Sequence, residues 1–199
     1  MEGYTEVRWH GRAQQGVVTA AKLLGETALF EGKFVQAFPE FGPERMGAPV
    51  KAFNRISDDP IKIHCQVTNP RIVLIVDPTL IGITLAGGME TSSGVSDGAT
   101  DGAVFIVNTS DPVAEVRKAL DVSDDKKVYT VDASTIAMDT LGRHIPNTPM
   151  LGALAKVTGI VDFESLLKNF KDNYGKKFGE KVTAANVSAM ERGFKEVGE

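Results

Sequence analysis

Two glycines, Gly11 and Gly16, bracket a short stretch of the chain that could bind an anion. An alternating segment precedes Gly11 and apolar residues at helical spacing follow Gly16, so the stretch is predicted to connect a strand to a helix. The first N–H groups of such a helix have no partner within it, and together with the helix dipole they favour a phosphate or a carboxylate. Arg12 and Lys22 could add positive charge, and Gln15 lies in the same turn.

This turn lacks the full pattern of either common nucleotide-binding loop. A P-loop would carry Lys and then Ser or Thr after the second glycine, where this chain has Val17. A dinucleotide-binding fingerprint would carry a middle glycine, where this chain has Ala13 and Gln14, although Glu40 further along could still bind a ribose. Three hypotheses therefore stay open for the turn: an anion site, a dinucleotide site and a purely structural connection.

The second candidate is the loop of residues 41–49, which contains two glycines, two prolines and Arg45. Such a composition favours a loop of defined shape. Loops at the carboxyl ends of strands line the ligand crevice of α/β sheets, so Arg45 and Gly47 are expected beside the turn if the strands before the two loops are neighbours. The planar guanidinium of Arg45 could bind two oxygens of a phosphate or a carboxylate. The alternative is that Glu44 and Arg45 form a solvated surface pair.

The elements that must position these residues are predicted from hydrophobic periodicity. Two continuous apolar runs, residues 72–76 and 103–107, are typical of strands covered by helices on both faces. Residues 49–57 and 61–67 flank an Asp-Asp-Pro turn and are predicted to pair as an antiparallel hairpin. Further strands are expected at residues 6–10, 34–38 and 127–131, and a helix at residues 112–120. The predicted fold class is α/β: a three-layer α/β/α sandwich around a Rossmann-like mixed sheet with an antiparallel hairpin.

The chain after residue 134 is predicted to be mainly helical. Apolar residues fall on one helical face behind Asp162, which is the expected N-cap, and a second amphipathic helix is expected near the C-terminus. Residues 1–199 are interpreted as one domain, with an α/β core at residues 1–134 and a helical part at residues 135–199.

Composition limits what this chain can do alone. Its 199 residues carry a net charge of −4, which argues against a general nucleic-acid or membrane-surface binder. No apolar run approaches the roughly 20 residues that span a bilayer, and the N-terminus lacks a secretory pattern, so a cytoplasmic protein is expected. The single cysteine, Cys65, excludes an iron–sulfur cluster built from this chain alone and is expected to be a buried, inert thiol. His10, His64 and His144 form no metal-ligand pattern, and structural roles are expected for them.

Three stretches carry a family resemblance. They are residues 7–22, which include the turn, the loop of residues 41–49, Phe-Gly-Pro-Glu-Arg-Met-Gly-Ala-Pro, and residues 147–153, Asn-Thr-Pro-Met-Leu-Gly-Ala. Together they resemble the gamma subunit of 2-oxoacid:ferredoxin oxidoreductases of the pyruvate, ketoisovalerate or aromatic 2-oxoacid type, over nearly the whole chain. The loop is the specific motif. The departure lies in the turn, where the family usually has two glycines and this chain has Ala13 and Gln14, whose side chains could narrow access to the backbone.

The resemblance implies a subunit of a complex that oxidatively decarboxylates a 2-oxo acid and forms an acyl-coenzyme A. Thiamine diphosphate with Mg²⁺, and iron–sulfur clusters, would lie on partner subunits of alpha, beta and delta type, which pass electrons to ferredoxin or another acceptor. This chain would be inactive alone and would hold no catalytic residue and no metal. No nucleic-acid or membrane partner is implied.

For this chain itself the resemblance implies coenzyme A binding. The residues expected to help hold the coenzyme A phosphates are Gly11, Arg12, Gln15, Gly16, Lys22, Arg45 and Gly47. Two other functions stay open: an independent NAD(P)-binding oxidoreductase of Rossmann type, and an architectural subunit that binds no ligand.

Overall fold

The computed structural model describes residues 3–41, 47–82 and 94–199. This part of the chain contains six strands and six α-helices. The strands are β1 (Tyr4–Arg12), β2 (Phe34–Phe41), β3 (Pro49–Ser57), β4 (Ile72–Ile75), β5 (Val104–Asn108) and β6 (Lys127–Val131). The α-helices are α1 (Val17–Phe30), α2 (Val113–Leu120), α3 (Ala133–Leu141), α4 (Asn147–Thr158), α5 (Phe163–Phe178) and α6 (Glu180–Glu196). A short 3-10 helix, Pro78–Leu80, follows β4.

All six strands form one sheet in the order β2-β3-β1-β4-β5-β6. Strands β1, β4, β5 and β6 are parallel to one another, whereas β3 runs antiparallel to both of its neighbours. The apolar strand β4 is buried along its whole length and lies inside the sheet, as its composition predicts. The α/β class with a mixed sheet is thereby confirmed.

Each face of the sheet packs into its own apolar cluster. On one face Trp9, Leu74 and Ile106 pack with buried residues of α1, α4, α5 and α6. On the other face Ile75 and Phe105 pack with buried residues of α2. Because neighbouring residues of a strand point to opposite faces, Leu74 and Ile75 belong to different clusters. Helices therefore cover both faces, which confirms the predicted three layers.

The predicted hairpin between β3 and residues 61–67 is wrong. Strand β3 pairs with β1 along one edge and with β2 along the other, so neither edge is left for another strand. Residues 61–67 form no strand and are held by side chains instead: Gln36 Nε2 donates to Ile63 O at 2.7 Å, and Arg55 Nη2 donates to Gln66 O at 2.9 Å. The antiparallel hairpin of this sheet consists of β2 and β3.

The expectation of a buried thiol is wrong for the same reason. Cys65 lies in the irregular segment of residues 61–67 and is exposed, because without a strand there its side chain is not carried into the core. Of the histidines, His10 is buried in β1, whereas His64 and His144 are exposed.

The C-terminal helices follow the prediction. Asp162 caps α5 by accepting a hydrogen bond from the Ser165 N–H at 2.8 Å. Helices α4 and α6 are in direct backbone contact, because a Cβ at Gly152 or Gly193 would overlap main-chain atoms of the other helix. Among the helices of the described ranges, none has the length and apolar character needed to cross a bilayer.

Candidate anion-binding site

The turn between β1 and α1 leaves the start of the helix without a side-chain cap. Gly16 precedes α1 with φ at +77°, a left-handed conformation that glycine adopts without strain, and no side chain at this position accepts a hydrogen bond from the first helical turn. Gly11 is buried, and a Cβ there would overlap the side chain of Val17. The two glycines let strand and helix meet closely, and the helix dipole favours an anion at this uncapped N-terminus.

Gln15 fixes the shape of this turn. Its Oε1 accepts a hydrogen bond from the Arg12 N–H at 2.8 Å, and its Nε2 donates to Asp77 Oδ2 at 2.7 Å. Asp77 lies just after β4 and is nearly buried. Its Oδ1 accepts two further bonds from Thr79, from the N–H at 3.0 Å and from Oγ1 at 2.6 Å. The ends of two neighbouring parallel strands are therefore joined through one carboxylate.

Arg12 is held by three neighbours. Its Nε lies 3.4 Å from Asp77 Oδ2, its Nη1 donates to Gly47 O at 3.0 Å, and its Nη2 donates to Thr79 Oγ1 at 3.0 Å. Asp77 balances much of its charge, although 30% of the Arg12 side chain remains exposed. The guanidinium therefore acts first as a link between the turn, Gly47 and the residues that follow β4.

Residues 47–49, at and just before the start of β3, lie against the turn. The Ala13 N–H donates to Ala48 O at 2.9 Å, and the register pairs Arg12 with Pro49, the first residue of β3. The strands before the two loops, β1 and β2, are not neighbours because β3 lies between them. Gly47 is expected beside the turn only if these two strands are neighbours. They are not neighbours, yet Gly47 does lie beside the turn. Arg45 lies outside the described residues.

Lys22 and Gln14 do not contribute to the hydrogen-bond network of the turn that is described above. Lys22 Nζ lies 3.5 Å from Glu26 Oε1, further along α1, so the structure does not bring Lys22 to the turn. Gln14 is exposed and has φ at +77°, a backbone conformation that favours glycine. A glycine would adopt this conformation without strain, whereas Gln14 adopts it at some cost.

Helix α4 begins against the turn. Asn147, its first residue, is nearly buried, and its Nδ2 donates to Gly16 O at 3.4 Å. Sequence reasoning named Asn147 only as part of a motif and did not single out Asp77 or Thr79. A signal for Asp77 was available: it follows a buried parallel strand, at the edge of the sheet where ligand crevices form.

Residues 6–196 match the family described as Pyruvate ferredoxin/flavodoxin oxidoreductase. The chain belongs to this family. The pyruvate synthase subunit PorC of Thermotoga maritima is 45% identical over 98% of this chain and 95% of that protein. The common gamma subunit of the pyruvate/ketoisovalerate oxidoreductases of Pyrococcus abyssi is 46% identical over 94% of this chain and 96% of that protein.

Solved structures of this oxidoreductase family agree with the fold. The crystal structure of pyruvate oxidoreductase subunit PORC from Thermotoga maritima matches with a TM-score of 0.84 and 41% identity, over 99% of this chain and 98% of that chain. The 2-oxoglutarate:ferredoxin oxidoreductase of Magnetococcus marinus, solved with 2-oxoglutarate, coenzyme A and succinyl-CoA bound, matches with a TM-score of 0.73. At 20% identity, over 97% of this chain and 31% of that chain, this second likeness is one of fold alone.

The resemblance seen in the three sequence motifs is therefore confirmed. The chain is a gamma-type subunit of a multisubunit 2-oxoacid oxidoreductase of the pyruvate:ferredoxin type. The hypothesis of an independent NAD(P)-binding oxidoreductase gives way to this assignment, since relatives that share nearly their whole length with this chain are named as subunits.

The gamma-type subunit also buries polar groups on the sheet face opposite α1. Arg8 Nη2 donates to Val95 O at 3.2 Å and to Asp97 O at 2.6 Å. Its Nε, and the Nε2 of His10, are buried without a hydrogen-bond partner in the described part of the chain. Burial lowers the pKa of Arg8 to about 10. Burial, with the charges of Arg8 and Lys51, lowers the pKa of His10 well below its ordinary value, so His10 stays neutral near pH 7.

The side chains that could ligate a metal ion are scattered over the described part of the chain. Within residues 3–41, 47–82 and 94–199, no three His, Cys, Asp or Glu side chains are placed to hold a metal ion. With one cysteine in the whole sequence, the chain cannot supply the thiolates of an iron–sulfur cluster by itself.

Proposed function

We propose that this gamma-type subunit binds coenzyme A for its oxidoreductase complex and holds the phosphates where β1 meets α1. The observation that carries the proposal is the uncapped start of α1, in a turn that is fixed by the hydrogen bond between Gln15 and Asp77 and lies beside Gly47, two residues after Arg45 in the sequence. Free helix N–H groups favour a phosphate, and a guanidinium can bind two of its oxygens. The Magnetococcus marinus enzyme, which contains coenzyme A in its solved structure, supports this choice of ligand.

The predicted residues divide by role in this proposal. Arg45 would contact a phosphate directly, whereas Arg12 and Gln15 hold the turn in shape. Gly47, whose Cβ position is open, would let the ligand approach the main chain, whereas Gly11 and Gly16 would shape the turn by allowing the close contacts with Val17 and Asn147. Lys22, paired with Glu26, would add only long-range charge.

Bond breaking would belong to the other subunits. Thiamine diphosphate with Mg²⁺, and iron–sulfur clusters, on partners of alpha, beta and delta type would supply decarboxylation and electron transfer to ferredoxin or another acceptor. This chain would bind and orient the thiol substrate, in the cytoplasm. Holding a reactant in position lowers a barrier without a catalytic acid or base. The names of the relatives favour pyruvate or ketoisovalerate as the 2-oxo acid.

The test is a steady-state analysis of the assembled complex with Arg45→Ala in this subunit. The KM for coenzyme A is expected to rise about tenfold or more, because a charge-assisted contact to a phosphate is lost, while the KM for the 2-oxo acid stays unchanged. Lys118→Ala is the control. It removes one exposed positive charge from α2, which packs on the face of the sheet opposite to α1. An unchanged KM for coenzyme A would instead favour an architectural subunit.

A further inference from the structure

A cavity of about 550 Å³ opens beside the turn, between the start of α1, the connection from α3 to α4, and the hairpin of α5 and α6. We call it the α1–α6 pocket. Its volume falls in the range of about 300–1,000 Å³ that is typical of small-molecule sites. Gly16 and Gln14 belong both to the turn and to the lining of this pocket, so a ligand could occupy the two regions together.

The floor and one wall of the pocket suit a flat ring. Buried Leu23 and Leu151 are part of its apolar floor. Along α5 the rings of Phe170, Tyr174 and Phe178 stack in sequence, with centroids 5.3 and 5.8 Å apart and interplanar angles of 9° and 13°. Phe178, the last ring of this row, is 41% exposed. Lys177 Nζ lies over the Phe178 ring, 5.6 Å from its centroid, so a planar heterocycle would pack against the side of this row of rings.

The charge of the pocket suits an anion. Arg143 and Lys181 lie on different elements of the lining and are both exposed. Within the described part of the chain the lining contains no carboxylate, and neither cation forms an ion pair there. Tyr174 turns its hydroxyl to Glu26 Oε2 at 3.2 Å, and burial with this contact raises the pKa of Tyr174 to about 12, so the hydroxyl stays protonated.

Resting on the function proposed above, we propose that the α1–α6 pocket binds the 3′-phosphoadenosine end of coenzyme A. The adenine would pack against the α5 rings, the 3′-phosphate would meet Arg143 and Lys181, and the diphosphate would lie at Gly16. The thiol end must react on a partner subunit, so it has to leave this chain. Anchoring the end that does not react positions the end that does.

The first test fills the pocket. Ala185→Trp places a large ring in its lining, and Ala184→Trp, one position away on α6, points into a different surface groove and serves as the control. In the assembled complex, Ala185→Trp should raise the KM for coenzyme A about tenfold and abolish competitive inhibition by adenosine 3′,5′-bisphosphate, which carries no pantetheine arm. Ala184→Trp should change neither. Unchanged inhibition in Ala185→Trp would overturn the assignment.

The second test uses exposed residues whose replacement leaves the core intact. Arg143→Ala with Lys181→Ala should abolish the preference for coenzyme A over 3′-dephospho-coenzyme A, because the 3′-phosphate loses its cations. A preference equal to that of the unmodified complex would contradict the assignment. If Arg45→Ala weakens coenzyme A binding while these variants do not, the pocket assignment fails and the proposed function stands. If none of the variants changes the KM for coenzyme A, both fail.

Discussion

Gly16 and Asn147 leave no room for a methyl group between them, since a Cβ on Gly16 would stand 2.5 Å from Asn147 Nδ2. The same amide group donates to the Gly16 carbonyl oxygen at 3.4 Å across 131 residues of sequence. Two of the three sequence motifs therefore meet at one point. The contact sets the start of α4 against the start of α1, and so shapes both the turn and the α1–α6 pocket.

Gly16→Ala should destabilise the subunit through two separable effects. The left-handed backbone at φ of +77° costs an alanine about 1–2 kcal/mol, and the overlap with Asn147 adds to that cost. The free energy of unfolding in urea measures the sum. Gly159→Ala is the control for the backbone alone, since Gly159 has φ at +58° and open space around its Cβ position. Adding Asn147→Ala to Gly16→Ala should recover only the part of the lost free energy of unfolding that comes from the overlap. Equal losses of free energy in Gly16→Ala and Gly159→Ala would show that the contact between Gly16 and Asn147 is unimportant.

Asp77→Asn should loosen the turn. The change removes the negative charge that accepts from Gln15 Nε2 and lies 3.4 Å from Arg12 Nε. We expect a loss of about 1–3 kcal/mol in the free energy of unfolding, because charge-assisted bonds at a nearly buried group are weakened. Asp58→Asn is the matched control: its ion pair with Lys33 is 88% exposed on the Asp58 side and should contribute less than about 1 kcal/mol. Similar losses in the two variants would refute the role given to Asp77.

His10 should make the stability of the subunit depend on pH. Burial and the charges of Arg8 and Lys51 hold its pKa well below 6.5, so below that pH the unfolded chain takes up a proton that the folded chain refuses. The free energy of unfolding should therefore fall as the pH falls from about 6.5 to 5, by at most about 1.4 kcal/mol per pH unit.

The matched pair for this measurement is His10→Gln and His64→Gln. His10→Gln removes the buried imidazole, so the pH dependence in that window should flatten. His64→Gln changes an exposed side chain in the irregular segment after β3 and should leave the curve as it is. A His10→Gln variant that keeps the full slope would mean that another group titrates there.

Gly152→Ala should disrupt the packing of α4 on α6. A Cβ at Gly152 would overlap the Met190 carbonyl oxygen, which belongs to the main chain and cannot rotate away. We expect a loss of at least about 2 kcal/mol in the free energy of unfolding. Gly175→Ala in α5 is the control: its Cβ would find Thr183 at 3.9 Å, an ordinary contact, so helix propensity should give a gain of about 0.5–1 kcal/mol. A tolerated Gly152→Ala would show that the two helices can separate.

Features that depend on a few neighbouring residues could be predicted from the sequence. The turn bounded by Gly11 and Gly16, and the cap at Asp162, follow from local hydrogen bonding and backbone freedom. The single-domain interpretation stays a prediction.

Features that depend on contacts between distant parts of the chain could not be predicted from the sequence. Residues 61–67 alternate like a strand, but β1 and β2 occupy both edges of β3. The role of Asp77 needs Gln15, 62 residues earlier in the chain, and only the parallel pairing of β1 with β4 brings the two together. The α1–α6 pocket likewise forms from five separate helices and leaves no local sequence pattern.

The most direct test of coenzyme A binding by this chain is a cryo-EM map of the assembled oxidoreductase prepared with coenzyme A. We predict density for the diphosphate at the start of α1, with the adenosine end in the α1–α6 pocket and the thiol directed to a neighbouring subunit. Density for coenzyme A held entirely by partner subunits, with none at the turn between β1 and α1, would contradict the central claim.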